Sequence, residues 1–286
     1  MDLKLLSTHD VRLNIELNSQ FAVLHSTQIF VIRGRETDND LWALHMYRLN
    51  QGRLEKIKTV KYLCKHYATL RDILGLSVEG EELLAGSCEV CQDIKLVNIY
   101  TGKTTVAYEN SKYELWRMCE GEAGRLWVST WKSKVIELDC TKKTFTETGN
   151  MFTIAEKAYF MCFLPPPHRA LVLSFNTEVV AVSCETGEEL WRVKEVDGKL
   201  LNPWSITFSP YDQALLVADP YNSRVLVLNP SDGSHLQTLT YPQLGPIFNL
   251  HWRNNTLTVL SQEGDVKLAF LGMNFSGNRF VQTVTH

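Results

Sequence analysis

Three observations predict an all-β chain, a six-bladed β-propeller of four-stranded antiparallel blades. The first is the stretch LNPWSITFSPYDQALLVADPYNSRVLVLNPSDGSHLQTL, residues 201–239. Its four apolar runs, at 204–208, 214–218, 224–228 and 235–239, are too short for helices and are fenced by turn formers. The stretch therefore reads as a meander that cannot cover both of its own faces and needs copies on either side. The second is that copies exist. Residues 81–103, 124–143, 169–188 and 255–274 overlay its second and third strands, and 28–53 does so with a longer hairpin. The third is length: six units of about 45 residues fill nearly all of the 286 residues.

The blades are expected at about 20–60, 69–109, 112–148, 157–194, 201–239 and 245–284, in a single domain spanning 1–286. Turn glycines Gly52, Gly102, Gly187 and Gly233 stand 50, 85 and 46 residues apart, and the 85 is two repeats whose middle turn, at Thr141-Lys142, has no glycine. Glycine there supplies the positive φ of tight hairpins. Residues 1–18 are expected to give the outer strand of the last sheet through VRLNIEL (11–17), which alternates apolar and polar side chains. The segment NRFVQTV (278–284) competes for that place.

Composition narrows the class of protein. With 44% apolar and 21% charged residues the balance is globular, and a net charge of -3 argues against a surface that is one polyanion footprint. No apolar run is long enough to span a membrane, and Met1–Asp10 lacks the apolar core of a signal peptide. Seven cysteines, an odd number scattered through the repeats, point to reduced thiols and a cytoplasmic location. The sequons at Asn254 and Asn274 carry no weight without secretion.

Taken in order, blade one carries a charged insertion, Arg33 to Asp40, read as a solvated tip. Arg53, Lys56, Lys58, Lys61, Lys65 and Arg71 form a basic run. Lysines on an outermost strand discourage edge-to-edge pairing, and the alternative is a basic patch for RNA or an acidic partner. Blade two holds Cys88-Glu89-Val90-Cys91. A structural zinc needs four ligands and no second pair follows, so no metal and no cofactor are expected. Trp116, Trp127 and Trp131 in blade three read as wedges between sheets. Pro165 to Pro167 mark a stiff loop in blade four.

Blade five has the most regular signature: a Pro at the entrance of its first strand, then V-A-D, two residues, N, one residue, R, and an acidic-Gly turn. This pattern resembles the NHL repeat, as in the C-terminal domains of tripartite-motif-type proteins. The resemblance implies that Asp219, Asn222 and Arg224 tie together the hairpin between the second and third strands. The other blades depart from it, with Ser87, Thr130, Ser174 and Ser261 at the place matched to Asp219, and they look equally like WD-like or quinoprotein-like propellers.

No nucleophile elbow, P-loop, HExxH, EF-hand loop or dinucleotide fingerprint is present. The function expected is non-catalytic: a scaffold binding a protein partner through one face, with the chain a piece of a larger multidomain protein. One alternative is an RNA-binding NHL-type regulator. The other is a calcium-dependent lactonase-like hydrolase, for which Asp72, Glu114, Asn202 and Asn249 at the starts of inner strands offer oxygen ligands to a channel metal.

Overall fold

The computed structural model describes residues 3–11, 21–23, 29–35, 42–51, 53–60, 70–88, 90–110, 112–122, 124–253, 256–263 and 265–273. They form six four-stranded antiparallel sheets arranged in a ring, a six-bladed β-propeller. Blade one comprises Phe21–Val23, Ile29–Arg35, Trp42–Asn50 and Arg53–Val60, and blade two Leu70–Val78, Glu81–Cys88, Asp93–Asn98 and Thr104–Glu109. Blade three comprises Leu115–Glu120, Arg125–Thr130, Lys134–Asp139 and Thr146–Thr153. Blade four follows with Phe160–Leu164, Ala170–Ser174, Val179–Ser183 and Glu189–Val193. Blade five comprises Ser205–Ser209, Ala214–Asp219, Arg224–Leu228 and His235–Leu239, within a residue or two of the runs read from the sequence. Blade six comprises Ile247–Arg253, Thr256–Glu263 and Asp265–Met273, and its fourth strand is Leu3–Val11.

The first strand of each blade touches the first strand of the next, and blade six meets blade one in the same way, so these six strands line the axis. Because neighbouring strands run antiparallel, the linkers between blades and the hairpins between second and third strands emerge on one face. The other two hairpins of each blade emerge on the opposite face.

The apolar core lies between blades. Six clusters of buried side chains each draw on two adjacent blades, one cluster per junction. Alternation along a strand explains this, since successive side chains leave opposite faces of a sheet. Leu215 and Val217 pack toward blade four, whereas Leu216 and Ala218 pack toward blade six. A strand buried on both faces then reads as an unbroken apolar run.

Closure uses the N-terminal segment. Leu3–Val11 pairs with Met273 back to Val266, and Phe30 of blade one meets Phe270 of blade six edge to face at 5.0 Å. The closing strand, Leu3–Val11, lies inside the N-terminal segment 1–18 expected to supply it, and Val11 is the described residue it shares with the alternating run 11–17. Leu5 joins the core between blades five and six, while the strand pairs along its whole length with an apolar neighbour. Pairing demand outweighs alternation there. Residues 12–17 and the competitor 278–284 lie outside the described residues, as do both sequons.

At two turns glycine is required twice over. Gly187 and Gly233 have φ of +73° and +72°, and a Cβ on either would come within 2.7 Å of Phe152 or Trp191 in the preceding blade. The tryptophans of blade three divide. Trp127 wedges between blades three and four beside Phe152. Trp131 does not, because the strand ends at Thr130 and its ring stands 44% exposed in the turn. Trp116 sits at the channel end of its strand.

Deleting residues 1–11 is expected to lower the midpoint of urea unfolding markedly, since blade six is left with an uncovered edge beside Phe270. A peptide of residues 1–11 added back should restore part of the loss, read by the same denaturation curve.

Candidate functional site

Inner strands have a free edge on the axis, so their backbone N–H groups need partners other than a strand. The neighbouring blade supplies them. Asp72 Oδ2 accepts the Met118 N–H at 2.7 Å across the junction of blades two and three. Ser205 Oγ accepts the Leu250 N–H at 3.1 Å, and Thr207 Oγ1 that of Trp252 at 3.1 Å, across the junction of blades five and six. Of the channel-end polar residues read from the sequence, Asp72 and Asn249 take part in this stitching, whereas Asn202 and Glu114 bond within their own blades. Asp72 also accepts its neighbour Ile73 N–H, and its carboxylate lies 3.8 Å from the Arg117 guanidinium. Asn249 Oδ1 accepts from Ser205 Oγ at 3.2 Å, and Asn202 accepts from the Trp204 indole. The Glu114 carbonyl accepts the Trp131 N–H at 2.8 Å.

Beside these ties stands a collar of aromatic rings. Trp116, Phe160, Trp204 and Phe248 begin the inner strands of blades three to six at intervals of 44 residues, and Arg71 holds the matching place in blade two, 45 before Trp116. Trp204 meets Phe248 at 5.4 Å and Tyr221 at 6.2 Å. Arg71 lies over Trp116 at 4.7 Å. Lys157, from the linker between blades three and four, sits 3.9 Å from the Trp116 centroid, 3.5 Å from Trp131 and 5.1 Å from Tyr159. Cations placed over ring faces are attracted by the ring quadrupole, and desolvation strengthens the pair. The sequence carries this collar as a 44-residue recurrence, which a register built on second and third strands passes over.

Of the basic run, Arg53 and Lys56 lie exposed on the outer strand of blade one, and Lys58 reaches the Tyr100 carbonyl at 3.4 Å. Arg71 belongs instead to the channel mouth. Lys61 and Lys65 lie outside the described residues.

In blade five the three residues of the repeat signature converge at the hairpin mouth. Asp219 Oδ2 accepts from Arg224 Nε and from Asn222 Nδ2, both at 2.9 Å, with Asp219 wholly buried and Arg224 nearly so. Arg224 also donates to the Val196 carbonyl at 3.1 Å and Asn222 to that of Leu200 at 3.0 Å. These bonds seat the small ladder of Glu195–Val196 and Lys199–Leu200 that leads into the blade.

The backbone register matches Asp219 differently from the sequence overlay. Asp219 pairs with Arg224 across a hairpin whose residue before the third strand, Ser223, has φ of +51°. Cys88 pairs with Asp93 across a hairpin of the same length, with Gln92 at +54°. The counterpart of Asp219 in blade two is therefore Cys88 and not Ser87. Ser87 faces the next blade and donates to the Trp116 carbonyl at 3.2 Å.

No protein-family model and no curated protein sequence matches the chain. No described helix is long and apolar enough to cross a membrane.

Replacing Asp219 with Ala leaves Arg224 buried without its carboxylate, and should cost about 3–5 kcal/mol in urea unfolding. Two largely buried groups on inner strands oppose each other in pH. Burial pushes the Asp72 carboxyl from 3.8 up to about 6, against the pull of Arg117. Its contribution to stability is full below 3.8 and lost as pH rises through 6. Burial pushes His251 from 6.5 down to about 4, so its contribution is full above 6.5 and lost as pH falls through 4. Asp72→Asn removes the first and leaves the second, so acidification across that window should destabilise the variant more steeply than the parent, in urea titrations at a series of pH values.

Proposed function

We propose that the chain is a non-catalytic recognition domain that binds a protein partner across the face carrying the aromatic collar. The observation that supports this most is the grouping of Trp116, Trp131, Tyr159, Trp204, Tyr221 and Phe248 with the cations Arg71 and Lys157 on that face. Trp131 and Tyr221 are 44% and 71% exposed. Aromatic rings with arginine are the residues that anchor protein interfaces, and rings held by rigid sheets bind without a large ordering cost. Cations beside them suit a partner segment that offers acidic and apolar side chains together. The convergent triad of blade five supports an NHL-like ancestry for the repeat.

Single-stranded RNA is the second reading, because rings and cations on one surface also stack bases and meet phosphates. A channel hydrolase draws less support, since Asp72 and Asn249 spend their oxygens on the stitching between blades.

The test uses one blade's two faces. Tyr221 lies in the hairpin on the collar face and Tyr211 in the hairpin on the opposite face. Affinity capture on the immobilised chain, with retained polypeptides identified and their Kd measured, should show a partner kept by Tyr211→Ala. Trp131→Ala and Tyr221→Ala should weaken it by about thirtyfold each. Retention that follows Tyr211 instead contradicts the assigned face, and retention abolished by nuclease favours RNA.

A further inference from the structure

The hairpin mouth of blade two copies that of blade five in backbone and inverts it in charge. Cys88, Cys91 and Asp93 occupy the places of Asp219, Asn222 and Arg224, with the same strand pairing and the same left-handed residue before the third strand. In blade five this geometry brings three side chains together because two donors, Arg224 and Asn222, meet one carboxylate. In blade two the arginine is gone, and three groups of metal-ligand type converge in its place. Their ligand atoms all lie within 4.8 Å of one another, the one such group of cysteine, histidine and carboxylate side chains among the described residues.

We propose that Cys88, Cys91 and Asp93 bind one divalent metal ion of the zinc class. Two thiolates and a carboxylate are donors that zinc accepts, with water completing four-coordination as at three-ligand sites.

Two independent features point to a missing cation. Asp93 is 6% exposed, and its Oδ1 is buried with no hydrogen-bond partner, a costly arrangement for a carboxylate unless a cation arrives. The Lys95 ammonium already leans into the cluster, 3.1 Å from Asp93 Oδ2 and 3.9 Å from Cys91 Sγ. It marks the spot as electronegative and covers only one side of it. The Cys91 N–H donates to Cys88 Sγ at 3.4 Å, which holds the two cysteines together at the hairpin mouth. On binding, both thiols release their protons to solvent and Lys95 turns outward. The proposal is independent of the partner on the collar face.

The experiment is a cobalt(II) titration of the reduced, metal-free full chain, followed by optical absorption and by displacement with zinc. Saturation at one cobalt per chain is expected, with a thiolate-to-metal charge-transfer band and the visible bands of tetrahedral coordination. Cys91→Ser should lose roughly half of the charge-transfer intensity. Asp93→Asn should keep that intensity and weaken binding by at least about tenfold. Lys95→Met retains all three donors and removes the competing charge, so it should bind more tightly than the parent even if a donor substitution fails to fold. Absence of the charge-transfer band at saturating cobalt overturns the proposal. So does a band indifferent to Cys91→Ser, an affinity indifferent to Asp93→Asn, or a Lys95→Met variant that binds no tighter.

Discussion

The constraint on which this molecule depends is closure of the ring. A four-stranded sheet with two apolar faces is stable only between two others, so every junction must be filled, including the one between the last blade and the first. Phe30, Ile32 and Tyr47 meet Leu260, Leu268 and Phe270 there, and Leu3–Val11 completes the last sheet from the start of the chain. The remaining five junctions each carry their own buried cluster. No blade has a core of its own to fall back on, so a gap at one junction exposes apolar area on both sides of it.

Closure also explains where the polar chemistry gathers. Six inner strands meeting at an axis leave a set of unpaired backbone groups that side chains must satisfy. Asp72, Ser205 and Thr207 each satisfy one in the following blade. Oxygens spent this way hold neighbouring blades in register. One position back from Asp72 and from Ser205 stand Arg71 and Trp204 of the collar. Stitching side chains and collar residues thus stand next to one another on the same strands, which fixes the rings in place relative to one another.

The fold was legible because burial on both faces writes short apolar runs between turn formers, as in ALLVAD followed by PYNS and RVLVL. The closing strand was less so. LKLLSTHDV lacks strict alternation, so the segment 1–18 was legible as the source of the closing strand while the bounds of the strand within it were not. Trp131 was misread for a similar reason: a tryptophan one residue past a strand end leaves the junction for the surface. The candidate sites were hidden in register. The sequence overlay matched Ser87 to Asp219, whereas the hairpin pairing puts Cys88 in that place. That single step brings Asp93 onto the arginine position and turns an isolated CxxC into three converging donors.

Hydrogen exchange across the whole chain, read by mass spectrometry, tests the closed ring most directly. Residues 3–11 and 265–273 are predicted to share strong protection and to lose it together with the inner strands of blades one and six, in one cooperative opening. Rapid exchange of 3–11 while 265–273 and the other blades stay protected would contradict closure by the N-terminal strand.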